Sequence, residues 1–178
     1  MNVRLRRIEA DAVIAIGSNL GDRLATFQSA VRALAEADGI EVTAISTPIE
    51  SVALRHDGPD PSAPGYLNAV VLVRTTLRPR VLLALLHTIE DDNGRIRDER
   101  WGDRTLDLDL IDFGGMQSST EQLTLPHPRA HERAFVLGPW AEVAPEAVLP
   151  GKGRVVDLLA ALQSSDAQSP DAQPGGAR

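Results

Sequence analysis

Leucine and aspartate alternate along residues 106–110, where Asp107 and Asp109 separate Leu106, Leu108 and Leu110. Side chains two residues apart lie on the same face of an extended strand, so the pattern predicts a strand with an aliphatic face and a carboxylate face. The Cα atoms of the two aspartates would lie roughly 6.6 Å apart. Like charges at this spacing repel each other, so the carboxylate face must be hydrated or must hold a cation.

Apolar residues at spacings of three and four predict two helices earlier in the chain. The apolar positions of the first helix are Leu24, Phe27, Val31 and Leu34. Asp22 is placed to cap its N-terminus, and Gly39 is placed to end it. The second helix begins near Pro79 and ends at Gly94. Its apolar positions are Leu82, Leu85, Leu86 and Ile89.

Runs of aliphatic and β-branched residues predict three more strands, at Val13–Ile16, Ile40–Ser46 and Tyr66–Arg74. With the two helices and the aspartate strand they give the order βαββαβ. This order predicts an α+β fold, a ferredoxin-like sandwich with a mainly antiparallel sheet and extra C-terminal elements. The segment Thr47–Gly65 is rich in proline, glycine and aspartate and is predicted to be a long loop.

The C-terminal part is predicted to add a strand at 122–127, a short helix within 131–146 that Pro139 breaks, and a small helix at 155–162. Residues 163–178 are mainly serine, glutamine, proline, glycine and alanine, with too little apolar surface to fold. We therefore expect one domain over 1–162 and a disordered tail over 163–178.

Composition narrows the class of protein. The chain has 178 residues, of which 43% are hydrophobic and 3% aromatic, so one domain with an aliphatic core is expected. The absence of cysteine excludes a disulfide, a thiolate nucleophile and a cysteine zinc site. No apolar run is long enough for a signal peptide or a membrane span, so we expect a cytoplasmic protein. The net charge of -7 argues against general binding to nucleic acid.

Asp107 and Asp109 supply the hard oxygen ligands that Mg²⁺ prefers. Two carboxylates at this spacing can bridge a pair of ions about 3.5–4 Å apart, which is a common arrangement in phosphoryl transfer. Judged from the alternation alone, an ordinary half-exposed strand with a polar outer face is an open alternative.

The segment before the aspartate strand carries four arginines, Arg95, Arg97, Arg100 and Arg104. Guanidinium groups next to a metal pair suit a polyphosphate, because they hold the oxygens that the ions leave free. Trp101 lies among them and can pack on a base or anchor the segment. The alternative is a solvated loop in which the arginines pair with acidic residues of the same segment.

Two other groups of residues suit a flat ligand and a phosphate. Tyr66 and Asn68 lie on one strand face, where a ring and an amide can stack on a heterocycle and hydrogen-bond to its edge. His127 can donate a hydrogen bond to a phosphate, and Phe135 can stack on a flat ligand, with Arg133 nearby in the sequence. The alternatives are a strand-edge tyrosine and asparagine, a surface histidine and a core phenylalanine.

No G-x-x-x-x-G-K-[ST] motif, protein-kinase signature set or G-x-S-x-G motif is present. The stretch GSNLGD does not match a dinucleotide fingerprint, and we interpret it as a turn that opens a helix. These absences exclude a P-loop enzyme and leave the aspartate pair as the centre of the candidate chemistry.

The stretches AIGSNLGDR, YLNAVV, GRIRDERWGDRTLDLDLIDF and LTLPHPRAHERAFVLGPW resemble the 6-hydroxymethyl-7,8-dihydropterin pyrophosphokinases of folate biosynthesis. They occur in the family's order and cover about residues 12–150. The resemblance implies a ferredoxin-like fold and transfer of pyrophosphate from ATP to the hydroxymethyl group of the pterin, with release of AMP. It also implies two Mg²⁺ ions as cofactors and ATP as the co-substrate.

The resemblance assigns roles to individual residues. It implies catalytic roles for Arg95, Arg97, Arg104, Asp107 and Asp109, with the two aspartates as the metal ligands. It implies ATP binding by Glu90, Arg95, Arg97, Trp101, Arg104, Leu110, Thr124, His127 and Arg133. It implies pterin binding by Thr47, Pro48, Tyr66, Asn68, Trp101 and Phe135, in which Tyr66 and Phe135 cover the two ring faces.

Some positions depart from the family pattern. The segment Thr47–Gly65 is longer than usual, and Asp98, Asp103 and Gln122 stand where other residues are common. Two other functions stay open: a different metal-dependent phosphotransferase or nucleotidyltransferase, and a non-catalytic module whose arginine segment binds RNA. We expect a monomer whose partners are the small-molecule substrates, with no nucleic acid and no membrane.

Overall fold

The computed structural model describes residues 9–55, 58–60, 62–93 and 105–167. The helices in these ranges are Arg23–Glu36 (α1), Pro79–Asp92 (α2), Ala134–Val143 (α3) and Val155–Ala167 (α4). The strands are Ala10–Ser18 (β1), Ile40–Ile45 (β2), Ile49–Ser51 (β3), Ala53–Arg55 (β4), Gly58–Asp60 (β5), Tyr66–Thr75 (β6), Asp107–Phe113 (β7), Ser118–Thr120 (β8), Leu123–Leu125 (β9), Val148–Leu149 (β10) and Gly153–Arg154 (β11). None of these helices is long and apolar enough to cross a bilayer.

One antiparallel sheet lies at the centre, with strand order β2–β6–β1–β7. The short strand β3 extends the β2 edge by pairing with the start of β6. The core elements follow the chain order β1, α1, β2, β6, α2 and β7. The predicted α+β ferredoxin-like sandwich is therefore confirmed, and α3, α4 and three short hairpins are additions to it.

The sheet separates two apolar clusters. Helices α1 and α2 cover the face that bears Leu106, Leu108 and Leu110, which we call the leucine face. Helices α3 and α4 belong to the cluster on the opposite face, which bears Asp107 and Asp109 and which we call the aspartate face. The buried residues of that second cluster are Val13, Val70, Ile111, Ala130, Val136, Leu137, Trp140, Leu149 and Val155.

A local sequence signal sets the start of α1, whereas the helix ends at Glu36 with Ala37 as its C-cap, before the predicted end at Gly39. The Asp22 carboxylate accepts a hydrogen bond from the backbone N–H of Ala25 at 3.0 Å, so the predicted N-cap is confirmed. Gly39 adopts a φ of 82° between α1 and β2. A Cβ at Gly39 would lie 2.7 Å from Oγ1 of Thr76, so both the backbone conformation and the space favour glycine there.

The prediction that Pro139 breaks the helix within 131–146 is wrong. Helix α3 passes through Pro139 and continues to Val143. Proline removes one backbone hydrogen bond, but Leu137 and Trp140 on either side of it are buried in the aspartate-face cluster. Tertiary packing therefore holds the helix together across the proline.

Helix α4 ends five residues beyond the predicted boundary at 162, because residues 163–167 are helical. Helix extension adds one backbone hydrogen bond for each residue that is fixed, so it needs no further apolar burial. The hydroxyls of Ser164 and Ser165 bond back to the carbonyls of Ala160 and Ala161 at 2.9 and 3.0 Å. The rest of the predicted tail lies outside the described residues.

A bulge in β7 changes the face on which Asp112 lies. Leu110 pairs with Ile14, whereas Asp112 pairs with Val13, so Ile111 is an extra residue. Strict alternation predicts that Asp112 shares the leucine face. Because directly paired residues lie on the same side, Asp112 instead lies with Val13 on the aspartate face.

Candidate active site

Three neighbouring strands bring the predicted pterin and metal residues into adjacent rows on the aspartate face. Gly17 of β1 pairs with Asn68 of β6 on one side and with Asp107 of β7 on the other. In the next row, Ala15 pairs with Val70 and with Asp109. The antiparallel register therefore places an amide and two carboxylates around a central strand that carries only small residues at these positions.

Gly17 leaves a gap in the middle of this arrangement. A Cβ built on Gly17 would lie 3.4 Å from Oδ1 of Asn68, 3.7 Å from Cδ1 of Tyr66 and 4.0 Å from Cβ of Asp107. The missing side chain thus opens space between the candidate pterin residues and the first aspartate. Sequence reasoning missed Gly17, although the end of an apolar run at a glycine is a signal for close approach of a ligand.

The Asn68 side chain is buried and oriented by its neighbours. Its Nδ2 donates a hydrogen bond to Oγ of Ser51 at 2.8 Å, and its exposed fraction is 5%. Its Oδ1 faces the gap at Gly17. Ser51 pairs with Tyr66 across β3 and β6, so the same short strand supports both residues.

A cation lies beside Asp109, which is one of the two outcomes that the electrostatic argument allows. Nη1 of Arg133 donates to Oδ2 of Asp109 at 2.9 Å, and both side chains are partly buried. Arg133 lies at the start of α3 with its guanidinium 5.7 Å from the ring centre of Phe135. The start of α3 thus places a guanidinium beside Asp109 and an aromatic ring near that guanidinium.

His127 is fixed against β7 by its backbone, whose N–H donates to the carbonyl of Ile111 at 2.8 Å. Its Nδ1 accepts from the N–H of Arg129 at 3.2 Å, so the neutral ring carries its proton on Nε2. That Nε2 lies 3.8 Å from Oδ2 of Asp109. Burial lowers the pKa of His127, with partial opposition from Asp109, so the ring is neutral at pH 7.

Thr47 and Pro48 lie between β2 and β3, directly before Ile49, which pairs with Asn68. The hydroxyl of Ser46 accepts from the N–H of Val70 at 2.9 Å, which ties the chain before Thr47 to β6. Thr47 donates twice to one oxygen of Glu142, from its N–H at 3.0 Å and from its hydroxyl at 2.8 Å. The sequence gives Glu142 no role, because nothing local links it to a residue 95 positions away in the chain.

Three other candidate ATP-binding residues are Glu90, Leu110 and Thr124. Glu90 is fully buried, and its Oε1 accepts from the N–H of Leu108 at 2.8 Å, so it supports β7 from the leucine face. The side chain of Leu110 is buried in the same face. Thr124 is exposed on β9, where it borders a cavity of about 490 Å³ that His127 also lines.

Arg95, Arg97, Trp101 and Arg104 lie outside the described residues, as does the rest of their segment. Their predicted contacts with the phosphates and the pterin therefore stay predictions.

The aspartate pair fits a Mg²⁺ site in the chemistry of its donors. Both side chains are half-buried on one face, and each offers carboxylate oxygens. Within residues 9–55, 58–60, 62–93 and 105–167, no group of three or more histidine, aspartate or glutamate side chains is arranged to hold a metal. Mg²⁺ sites commonly hold one or two carboxylates and complete their shell with water and substrate phosphates.

The chain is similar in sequence to one family of known proteins. The profile of the 7,8-dihydro-6-hydroxymethylpterin-pyrophosphokinase (HPPK) family matches residues 13–145. A 2-amino-4-hydroxy-6-hydroxymethyldihydropteridine pyrophosphokinase from Synechocystis sp. is 44% identical over 148 residues, which cover 83% of this chain and 73% of the relative. The protein of that name from Methylorubrum extorquens is 41% identical over 154 residues, which cover 86% of this chain and 94% of the relative.

Among solved structures, a Plasmodium falciparum HPPK-DHPS with pteroate superimposes with a TM-score of 0.70 at 12% identity. The match covers 93% of this chain and 45% of that longer protein, and at this identity it supports the fold alone. The sequence matches and the shared fold lead to one conclusion: the chain belongs to the HPPK family of diphosphotransferases.

Proposed function

We propose that this protein catalyses Mg²⁺-dependent transfer of pyrophosphate from ATP to the hydroxymethyl group of 6-hydroxymethyl-7,8-dihydropterin, with release of AMP, as a step of folate synthesis. The observation that carries the proposal is the row Asn68–Gly17–Asp107. It joins a gap suited to a flat heterocycle directly to a carboxylate suited to a metal–phosphate complex.

The pterin binds in the gap at Gly17. Asn68 presents its Oδ1 to the heterocycle edge, where an amide can match the alternating donors and acceptors of a pterin. Tyr66 and Phe135 supply the two aromatic faces, and Thr47 and Pro48 close the rim. Trp101 joins this pocket by the family resemblance.

The phosphates of ATP bind beside Asp109. His127 offers a neutral Nε2–H, which can donate to a phosphate oxygen without itself carrying charge. Arg133 offers a guanidinium that is already aimed at this position, and Thr124 lies at the edge of the neighbouring cavity. Arg95, Arg97 and Arg104 add guanidinium groups from the preceding segment by resemblance, and Glu90 and Leu110 complete the ATP site through β7.

Asp107 and Asp109 would hold two Mg²⁺ ions, which supply neutralisation of phosphate charge when bound. The hydroxymethyl oxygen forms a bond to the β-phosphorus, and the bond from that phosphorus to the oxygen it shares with the α-phosphate breaks. AMP leaves, and the hydroxyl proton passes to water. Such a reaction depends mainly on positioning and charge neutralisation, which the two adjacent rows provide.

The test is an assay with ATP, Mg²⁺ and 6-hydroxymethyl-7,8-dihydropterin, analysed by chromatography for nucleotides and pterins. We expect AMP and the pterin diphosphate in equal amounts, no turnover without the pterin, and none with excess EDTA. ADP in place of AMP would overturn the proposal in favour of a simple kinase. Salt-sensitive RNA binding with no turnover would overturn it in favour of a binding module.

The cytoplasmic location and the monomeric state also stay predictions. Sedimentation of the full chain, with and without the substrates, measures the second directly.

A further inference from the structure

Glu142 holds the first residue of the long segment Thr47–Gly65. One oxygen of its carboxylate accepts both the N–H and the hydroxyl of Thr47, at 3.0 and 2.8 Å. These two bonds come from a residue on α3, which is 95 positions away in the chain. They lower the pKa of Glu142, so the accepting carboxylate form is present at neutral pH.

The position of Glu142 on α3 links it to Phe135. The two residues are seven apart, which is about two helical turns, so they lie on the same side of the helix. Phe135 packs against the aspartate-face cluster, which also contains Val70 of β6 and Trp140 of α3. One rigid helix therefore sets the position of the aromatic ring and, through Glu142, the position of Thr47.

The far end of the same segment has a separate anchor. Nη1 of Arg23 donates to the carbonyl of Gly65 at 2.8 Å, and Nη2 pairs with Glu50 at 2.8 Å. Arg23 belongs to α1 and makes neither of the contacts at Thr47. Ser46 and β3 stay paired with β6 on either side of Thr47 and Pro48, so loss of Glu142 would release these two residues alone.

We propose that Glu142 is a positioning residue for pterin recognition, which acts by holding the main chain at Thr47–Pro48 at a fixed distance from Phe135. The inference rests on the proposed function, in which those three residues contact the pterin. The Thr47 hydroxyl is already used by Glu142.

The first experiment compares Glu142→Ala and Glu142→Gln with Glu146→Ala. Glu146 is an exposed carboxylate that pairs with Arg154 at 3.5 Å, away from Thr47, so it controls for the charge change. We expect Glu142→Ala to raise the KM for the pterin by about 3- to 10-fold, with the KM for ATP and the melting temperature unchanged. Glu142→Gln keeps an accepting oxygen and should recover part of the loss, and Glu146→Ala should match the wild type.

The second experiment tests whether Glu142 acts through Thr47. Thr47→Val removes the hydroxyl donor but keeps the backbone N–H. We expect it to raise the KM for the pterin in the wild-type background and to have no effect in the Glu142→Ala background. Equal effects in both backgrounds would overturn the inference.

Amide hydrogen exchange separates this inference from the proposed function. In the ligand-free protein we expect faster exchange of the Thr47 amide in Glu142→Ala than in Glu146→Ala, whatever the reaction proves to be. Unchanged exchange, or unchanged pterin kinetics in an active enzyme, would overturn the role of Glu142. An inactive wild type with faster exchange in the variant would overturn only the proposed function.

Discussion

The leucine face and the aspartate face of β7 share one backbone but have opposite environments. Leu106, Leu108 and Leu110 are almost completely buried under α1 and α2. Asp107 and Asp109 on the opposite face are only half-buried. The strand thus obtains its fixed position from one side and keeps the other side accessible to charged ligands.

The contrast also shows how the charges are tolerated. On the leucine face, Glu90 is buried but accepts a backbone N–H of the same strand. On the aspartate face, Asp109 has Arg133 at 2.9 Å and remains partly hydrated. The Arg133 guanidinium therefore stabilises the charge of Asp109 before any ligand binds. A cation that binds at Asp109 would compete with this guanidinium.

The largest expected effect comes from neutralising the aspartate face. Asp107→Asn or Asp109→Asn should lower kcat by about a hundredfold or more, because the metal ligands lose their charge while the shape is kept. Both variants should unfold cooperatively in urea, with Asp109→Asn losing at most about 1 kcal/mol through its ion pair with Arg133. Asp11→Asn, at an exposed aspartate beside Arg74, is the control and should keep full activity. Near-normal rates in both site variants would remove the metal role.

A substitution on the leucine face should lower the stability of the protein more than its kcat. Leu108→Ala should lower the free energy of unfolding by about 2–5 kcal/mol, because it leaves a cavity in a closely packed cluster. The kcat of the molecules that remain folded should change less than tenfold. Urea titration and an assay at saturating substrate, both at a temperature where the variant is folded, measure the two effects. A loss of kcat as large as that of Asp109→Asn would show that the faces are not separable.

Substitutions at Gly17 test whether the pterin occupies the gap between the candidate pterin residues and Asp107. Gly17→Val should raise the KM for the pterin by about tenfold or more, because its methyl groups occupy the space between Tyr66, Asn68 and Asp107. Gly17→Ala makes only ordinary contacts and should have a smaller effect in the same direction. The free energy of unfolding should be unchanged or slightly higher in both variants, since glycine weakens the interior of a strand. An unchanged KM in Gly17→Val would place the pterin elsewhere.

The smallest expected effect is at Asp112, a buried carboxylate of the aspartate face beyond the bulge. Its Oδ2 accepts from the N–H of Gly115, whereas its Oδ1 has no hydrogen-bond partner among the described residues. Burial raises the pKa of Asp112 above the ordinary value of 3.8, against the lowering effect of backbone hydrogen bonds. The folded state therefore holds the proton more tightly, and stability is lost as pH rises from 3.8 through the folded pKa.

Asp112→Asn should consequently stabilise the protein at pH 7 by about 0.5–1 kcal/mol and give no gain below pH 3.8. Urea unfolding at the two pH values measures the difference, with the exposed Asp38→Asn as the control. A gain of the same size at both pH values would show that ionisation of Asp112 is not the cause.

Much of this fold was predictable because its signals are local. The alternation in β7 and the cap at Asp22 depend on neighbours within a few residues, and both predictions are confirmed. The bulge at Ile111 was not predictable, because it depends on pairing with a strand about a hundred residues earlier. Helix α3 passes Pro139 for a similar reason, since distant packing outweighs a local preference.

The residues of the candidate site were likewise predictable where the signal was local and were missed where it was not. Asp107, Asp109, Tyr66 and Asn68 were chosen from spacing on single strands, and the sheet brings them together. Gly17 and Glu142 were missed, because one acts through an absent side chain and the other through a contact between distant segments.

The pairing of β7 with β1 also has a practical consequence for anyone who purifies or refolds this protein. A slip of one residue would exchange leucines for aspartates on both faces, and the opposition of Asp107 to Gly17 would be lost. Under the proposed function, the specific activity of a preparation is then proportional to the fraction of molecules in which β1 and β7 pair in the correct register. Specific activity can therefore distinguish preparations that have the same circular dichroism spectrum.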